Sequence, residues 1–383
     1  MRIALLTYST RPRGGVVHTL HLAEALARTG ASVTVYSLAR GTDAGFFREV
    51  DPAVTVRLAP FPDRPGESVT DRIVRSIATL RDHVAADEFD IVHAQDCISA
   101  NAVSRCIRTI HHLDDFTTPV LVDCHEKAIT TPYAHVCVSE AVASEVRLGW
   151  GLSPAVIPNG VDYARFAGAA GQDAAATSAR GRWRRRLGPF VLAVGGIEPR
   201  KGSIDLLEAF ARLSHRRSDL SLVFAGGETL FDYRDYRAEF DRRCLELGID
   251  PVVLGVVPEA ELPSLVAACD VFAFPSTKEG FGLAAMEALA AGRPVVAREL
   301  PILREVFGRS VEYAASVPEL ADRLESALAA DPARARAGRA LSSSLTWDAA
   351  AGAHLDFYAA HPRWAPGARP PSVSSAHARD HRL

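Results

Sequence analysis

Short apolar runs alternate along the chain with amphipathic stretches of helical period, the pattern of parallel strands joined by crossover helices. "RIALLTY" (2–8) reads as a buried strand. The stretch after it sets Val16, Leu20, Ala23, Leu26 and Ala27 on one helical face and stops at Gly30. "SVTVYS" (32–37), "DIVHA" (90–94), "TPVLVDC" (118–124), "HVCVS" (135–139) and "AVIPN" (155–159) are further strand candidates. Together they predict one doubly wound domain over 1–165. Residues 167–186 turn to Ala, Gly and Ser and then to a basic cluster, which predicts a surface linker leading into a short helix.

A second alternation follows: strands in "FVLAVGG" (190–196), "LSLVFAGG" (220–227), "VVLG" (252–255), "DVFAFPS" (270–276) and "RPVVAR" (293–298). Helices are predicted between them over 203–214, 233–247, from 260 and over 283–291, making a second Rossmann-like domain over 187–340. A helix over 345–361 carries Trp347, Ala351, Leu355 and Tyr358 along one side. The tail 362–383, rich in Pro, Ser and Arg, is predicted to be disordered.

Composition narrows the function classes. At 383 residues, 48% hydrophobic and 23% charged, the chain has ample core for two domains. A net charge of −3 gives no general pull towards nucleic acid. The six cysteines (Cys97, Cys106, Cys124, Cys137, Cys244, Cys269) are scattered with no C-x-x-C pair, so they read as reduced, buried side chains rather than a disulfide framework or a zinc site. The apolar run at the N-terminus is too short for a secretory signal, and no run is long enough to span a membrane, so the expected compartment is the cytoplasm.

Open parallel sheets bind ligands in the loops beyond the carboxyl ends of their strands, and three such loops carry distinctive residues. In "RPRGGVVH" (11–18), Gly14 and Gly15 stand directly before a helix, where free N–H groups and the helix dipole favour an anion; a flexible turn is the plainer alternative. No G-x-G-x-x-G follows the first strand, which argues against a dinucleotide cofactor. In "VGGIEPRKGS" (194–203), Lys201 precedes Gly202 and a helix expected to be capped by Ser203, and a lysine there opposes the dipole unless an anion is bound. In "STKEGFGLAAMEALAAGRPVV" (276–296), Glu279 and Glu287 flank a Gly-Phe-Gly turn that opens a helix. Helix capping accounts for the acidic residues but not for two glycines around an aromatic. Amides between two carboxylates suit a ligand with both phosphate and hydroxyls.

The stretch "KEGFGLAAMEALAAGRPVV" resembles the Glu, seven residues, Glu signature of retaining GT-B glycosyltransferases, above all glycosyltransferase family 4. "GGVVHTLHLAEALARTGASVTV", "DIVHAQD", "VCVSEAV", "IPNGVD" (157–162), "VGGIEPRKG", "AACDVFAFPS" and the Trp347 helix are similar to that family's segments and fall in its order. The resemblance implies two Rossmann-like domains facing each other across a cleft, with the 345–361 helix crossing back to the first. It implies that Gly14 and Gly15 lie against the donor diphosphate and that Lys201 neutralises it as it leaves. Glu279 would bind hydroxyls of the transferred sugar, and the backbone at Phe281, Gly282 and Leu283 would close over sugar and phosphate. Glu287 would hold the ribose, the backbone near Val257 would meet the base, and His125 would face the reacting centre.

Three departures bear on activity. Gly196 stands where many relatives have an Arg, with Arg200 as its replacement or else a less stabilised leaving group; losing one charge-stabilising donor typically costs about 3 kcal/mol. Glu126 and Gln95 stand where Asp and His are common.

The implied reaction moves a sugar from a nucleotide sugar, UDP-linked before GDP-linked, to an unidentified acceptor with retained configuration, without cofactor or metal. Two alternatives stay open: a nucleotide-sugar-binding protein with lost catalysis, and an epimerase or phosphorylase-like enzyme on the same fold. The cluster "RGRWRRRL" (180–187) is either a solvated helix face or a peripheral contact to anionic lipid at the inner face of the membrane, and no nucleic-acid partner is expected.

Overall fold

The computed structural model describes residues 1–41, 45–114, 116, 118–227 and 233–363. The chain forms two compact units, Met1–Gly160 joined by the chain from Trp347 onward, and Val161–Thr346.

The first unit is built on seven parallel strands: β1 (Arg2–Leu6), β2 (Ser32–Arg40), β3 (Val54–Phe61), β4 (Ile91–Ala94), β5 (Ile107–Ile110), β6 (Ala134–Cys137) and β7 (Ala155–Val156). They lie in the order β3-β2-β1-β4-β5-β6-β7. In β1, Ile3 to Leu6 are fully buried, because helices cover both faces of a parallel sheet. Leu5 is in register with Val35 of β2 and His93 of β4, so the strand order reverses at β1 and β4.

The second unit has six parallel strands, β8 (Phe190–Val194), β9 (Ser221–Ala225), β10 (Val252–Val253), β11 (Val271–Phe274), β12 (Val295–Arg298) and β13 (Glu312–Ala314). Their order is β10-β9-β8-β11-β12-β13, with the reversal at β8 and β11. Its core gathers Val191, Leu206, Phe210, Phe224, Phe240 and Val271.

Three sequence expectations need correction. Residues 118–124 are not a strand: they open the helix Pro119–Thr130, with Pro119 at its first turn, where a missing N–H costs nothing. The strands actually present nearby, β3 and β5, are interrupted by Thr55, Arg57, Arg108 and Thr109 and give no continuous apolar run. Residues 167–186 are not a linker but parts of the helices Tyr163–Ala169 and Ala174–Leu187. The second is anchored by buried Trp183, whose Nε1 donates to Ser264 Oγ at 3.0 Å, and by Arg184 on Asp270. Arg182, Arg185 and Arg186 of the basic cluster remain exposed.

In the helix Trp347–Ala360, the buried stripe runs through His354 rather than Leu355. This helix packs in the first unit: Trp347 stacks on His21 at 5.3 Å, and the Tyr358 hydroxyl meets His93 Nδ1 at 2.8 Å. The predicted tail lies, from residue 364, outside the described residues. Among the described residues no helix is long and apolar enough to cross a membrane.

Candidate active site

In the second unit, β8 runs out through Gly195 and Gly196 into a single turn, Pro199–Lys201. Gly202 follows at φ +64°, and a Cβ there would sit 2.3 Å from the Pro275 carbonyl oxygen, so only glycine lets this turn press against the end of β11. Thr277 N–H donates to the Arg200 carbonyl at 2.8 Å and pins the two loops together. Lys201 Nζ therefore reaches Glu279 Oε1 at 2.6 Å, and Arg200 Nη1 reaches the same oxygen at 3.3 Å while its Nη2 lies 3.2 Å from Glu198. Burial pushes the Glu279 carboxyl up, but Lys201 and Arg200 outweigh it and hold it at about 2. Ser203 does not cap the following helix; Gly202 takes that place, and no side chain caps it.

Gly282, at φ +96°, opens the helix Leu283–Ala290 with no side-chain cap, so the positive end of that helix is left to its backbone amides. Phe281 is buried beneath the turn, and a Cβ on Gly282 would lie 2.8 Å from the Phe307 ring. Glu287, one turn further on, faces a different environment. Burial raises its carboxyl to about 8, reinforced by Glu259 and Asp162 and opposed by Arg165. Arg165 is engaged with both the side chain and the carbonyl of Glu259. Glu259 follows the half-buried Val257 in the loop after β10.

In the first unit, Gly14 begins the helix Gly14–Arg28, again without a side-chain cap. A Cβ on Gly15 would lie 3.6 Å from the His111 ring. His111 stands at the carboxyl end of β5, edge-on to His18 at 4.8 Å, and its Nε2 is buried without a hydrogen-bond partner. Burial, with His112 and Arg108 adding, lowers its pKa to about 3, so it is a neutral imidazole. His18 Nδ1 is held 2.8 Å from Asn159 Oδ1, an asparagine of the "IPNGVD" segment.

His125 is elsewhere. It lies on the helix Pro119–Thr130, not at a strand end, with Nδ1 3.6 Å from Cys97 Sγ and its ring 5.3 Å from Phe116. The histidine beside the glycine turn is His111, and the signal for it was the pair His111-His112 directly after "IRTI". Glu126, beside His125, accepts from Trp150 Nε1 at 2.8 Å.

Lys201, Arg200, Glu279, Val257, Phe281, Gly282, Leu283 and Glu287 thus belong to one unit, and Gly14, Gly15 and His125 to the other. Among the described residues, no three His, Cys, Asp or Glu side chains are placed to share a metal ion.

Comparison with known proteins decides the family. Residues 12–165 match Glycosyltransferase Family 4, and residues 183–342 match Glycosyl transferases group 1. The D-inositol 3-phosphate glycosyltransferase of Xylanimonas cellulosilytica is 31% identical, over 94% of this chain and 96% of its own length. The chain belongs to glycosyltransferase family 4.

Among other relatives of this family 4 transferase, the phosphatidyl-myo-inositol mannosyltransferase of Mycobacterium tuberculosis is 30% identical over 86% of both chains. The fold is that of GT-B glycosyltransferases. Anabaena HepE, solved with UDP and glucose, superposes over 94% of this chain with a TM-score of 0.72 at 21% identity. Sucrose-phosphate synthase of Thermosynechococcus elongatus does so with a TM-score of 0.74 at 20% identity.

Proposed function

We propose that this transferase moves a sugar from a nucleotide-sugar donor, UDP-linked in preference to GDP-linked, to its acceptor with retention of configuration and without a metal ion. The observation that carries this is the Lys201–Glu279–Arg200 cluster beside an uncapped helix that begins at Gly282. It gathers two cations, a carboxylate and backbone amides, the groups a sugar diphosphate needs. The solved HepE structure with UDP and glucose, and relatives named for glycosyl and mannosyl transfer, support a nucleotide-linked hexose.

In this reading Lys201 and Arg200 stabilise the diphosphate as the sugar–oxygen bond breaks, and Gly14 and Gly15 lie against it. Glu279 accepts hydrogen bonds from sugar hydroxyls, under the backbone of Phe281, Gly282 and Leu283. Glu287, protonated near neutrality, donates one hydrogen bond to the ribose and accepts another, and the backbone at Val257 meets the base. The departing diphosphate oxygen takes the acceptor proton on the face where the new bond forms. His111 takes the place first given to His125: its neutral Nε2 accepts a hydrogen bond from a hydroxyl at the reacting centre and cannot serve as an acid. The protein acts mainly by positioning and charge stabilisation.

The test is thermal unfolding of wild type and Lys201→Ala with UDP, GDP and ADP. Saturation at 100 times the dissociation constant adds about 2.7 kcal/mol. Stabilisation by UDP that shrinks in Lys201→Ala is expected; no response to any nucleotide would sink the donor reading. Turnover should also survive EDTA, and restoration of lost activity by Mg²⁺ or Mn²⁺ would refute metal independence.

A further inference from the structure

Two half-buried arginines of the first unit flank one tyrosine, and among the described residues no carboxylate pairs with either. Tyr8 follows β1, Arg40 ends β2, and Arg13 immediately precedes the Gly14–Arg28 helix. Arg13 Nη1 donates to the Tyr8 hydroxyl at 2.9 Å. The guanidinium carbons of Arg13 and Arg40 lie 5.7 and 5.6 Å from the Tyr8 ring centre, and that of Arg40 lies 5.7 Å from the Phe61 ring. Nε of Arg13, and Nε and Nη2 of Arg40, are buried without a hydrogen-bond partner.

Burial lowers the pKa of Arg40, and its charged neighbours Arg72, Arg13 and Arg11 push the same way. Arg72 sits in the first turn of the helix Val69–His83.

The same unit neutralises other arginines nearby. Arg75, which stacks on Phe61 at 3.7 Å, is closed by Glu67 through two hydrogen bonds of 2.6 Å. Arg48 is closed by Glu24. The acidic group beside Tyr8, Asp96, accepts instead from the N–H groups of Tyr8 and Ser99, at 3.0 and 2.8 Å. Among the described residues neither Arg13 nor Arg40 has a carboxylate partner. Buried guanidinium N–H groups without acceptors are destabilising, and each asks for an explanation.

We infer that Arg13 and Arg40, at the carboxyl edge of β1 and β2, form a subsite for a phosphate group carried by the acceptor. Guanidinium forks match phosphate oxygens in pairs, and the Tyr8 hydroxyl, fixed by Arg13, supplies a further polar contact. The edge is where open parallel sheets take ligands. The subsite is distinct from the donor cations, because Lys201 and Arg200 belong to the second unit. The inference rests on the transferase reading and names the acceptor class: a phosphate ester that also offers a free hydroxyl.

The experiment is calorimetric titration of the UDP-saturated chain with inorganic phosphate. Wild type should bind one phosphate, and Arg40→Gln should weaken it at least tenfold while leaving UDP binding unchanged. Lys201→Ala should give the reverse pattern, weak for UDP and unchanged for phosphate. Arg40→Gln should also keep or raise the Tm without phosphate, since it removes a half-buried charge with no carboxylate partner among the described residues; a lower Tm would mark the arginine as structural and overturn the subsite. Phosphate binding untouched by both Arg40→Gln and Arg13→Gln would overturn it too.

A wild type that binds phosphate but no nucleotide would refute the donor reading and spare the subsite. The source of the phosphate is read from two arms. Competition by a soluble hexose phosphate assigns a free phosphate ester. Arg40-dependent pelleting with phosphatidylinositol vesicles, without that competition, assigns a lipid headgroup.

Discussion

Glu279 and Glu287 stand eight positions apart and titrate at opposite ends of the carboxylate range, about 2 and about 8. The difference is one of partners: Glu279 is buried with Lys201 and Arg200, whereas the nearby Arg165 is already taken by Glu259. At neutral pH one is an anion and the other a neutral acid able to donate a hydrogen bond. The two histidines make an equally sharp contrast. His111→Ala should lower kcat at least tenfold with UDP binding kept, whereas His125→Ala should change kcat less than twofold; the reverse ranking in steady-state kinetics would restore His125. The glycine turns that carry Lys201 and Glu279 are legible in the sequence, but the contact between the two side chains is not, since the residues lie far apart along the chain. His111 was not legible either, since its strand is only four residues long and holds Arg108 and Thr109 at its centre. The ionisation of Glu287 was also hidden, being set by Glu259 and Asp162, which are distant in sequence.

Elements were legible in proportion to their apolar continuity. β1, β8 and β11 are runs buried on both faces and stand out, whereas β3 and β5 carry polar residues at alternate or central positions and do not. The helix Pro119–Thr130 reads as a strand in the sequence because its leading Val120, Leu121 and Val122 form a short apolar run with two β-branched residues, although Val120 and Val122 are exposed. At this scale Gly202 lets the Lys201 turn press against the end of β11. Gly202→Ala combines a left-handed φ with a 2.3 Å clash against Pro275. It should cost about 1–3 kcal/mol from backbone strain before any contact is counted. Denaturant unfolding should register that loss, and UDP affinity should fall with it; a variant of wild-type stability and affinity would show that the turn is not held by close approach.

The two units should respond to pH in opposite senses. In the first, burial lowers the pKa of His18, His93, His111, His135 and His354, the last three to about 3, 4 and 4. An unfolded histidine takes up a proton below about 6.5. These five do so only at lower pH while folded, so stability is lost as pH falls below that value. In the second, Glu287 keeps its proton up to about 8 while its unfolded counterpart loses it near 4.5, so stability falls as pH rises across that window. Each group contributes at most about 1.4 kcal/mol per pH unit. Hydrogen exchange between pH 5 and 8 should therefore show protection rising in the first unit and falling in the second, with Glu287→Gln flattening the second trend. Parallel trends would contradict this.

The chain leaves the first unit at Gly160 and rejoins it at Trp347, so close that a Cβ on Gly160 would sit 2.4 Å from the Trp347 nitrogen. Val161 N–H donates to the Leu345 carbonyl at 2.8 Å, tying together the two ends of the second unit as well. In the gene this makes the second unit one unbroken cassette. Recombination at two breakpoints would exchange Lys201, Arg200, Glu279 and Glu287 together and leave Arg13, Arg40 and His111 untouched, so the two clusters are free to change by separate inheritance.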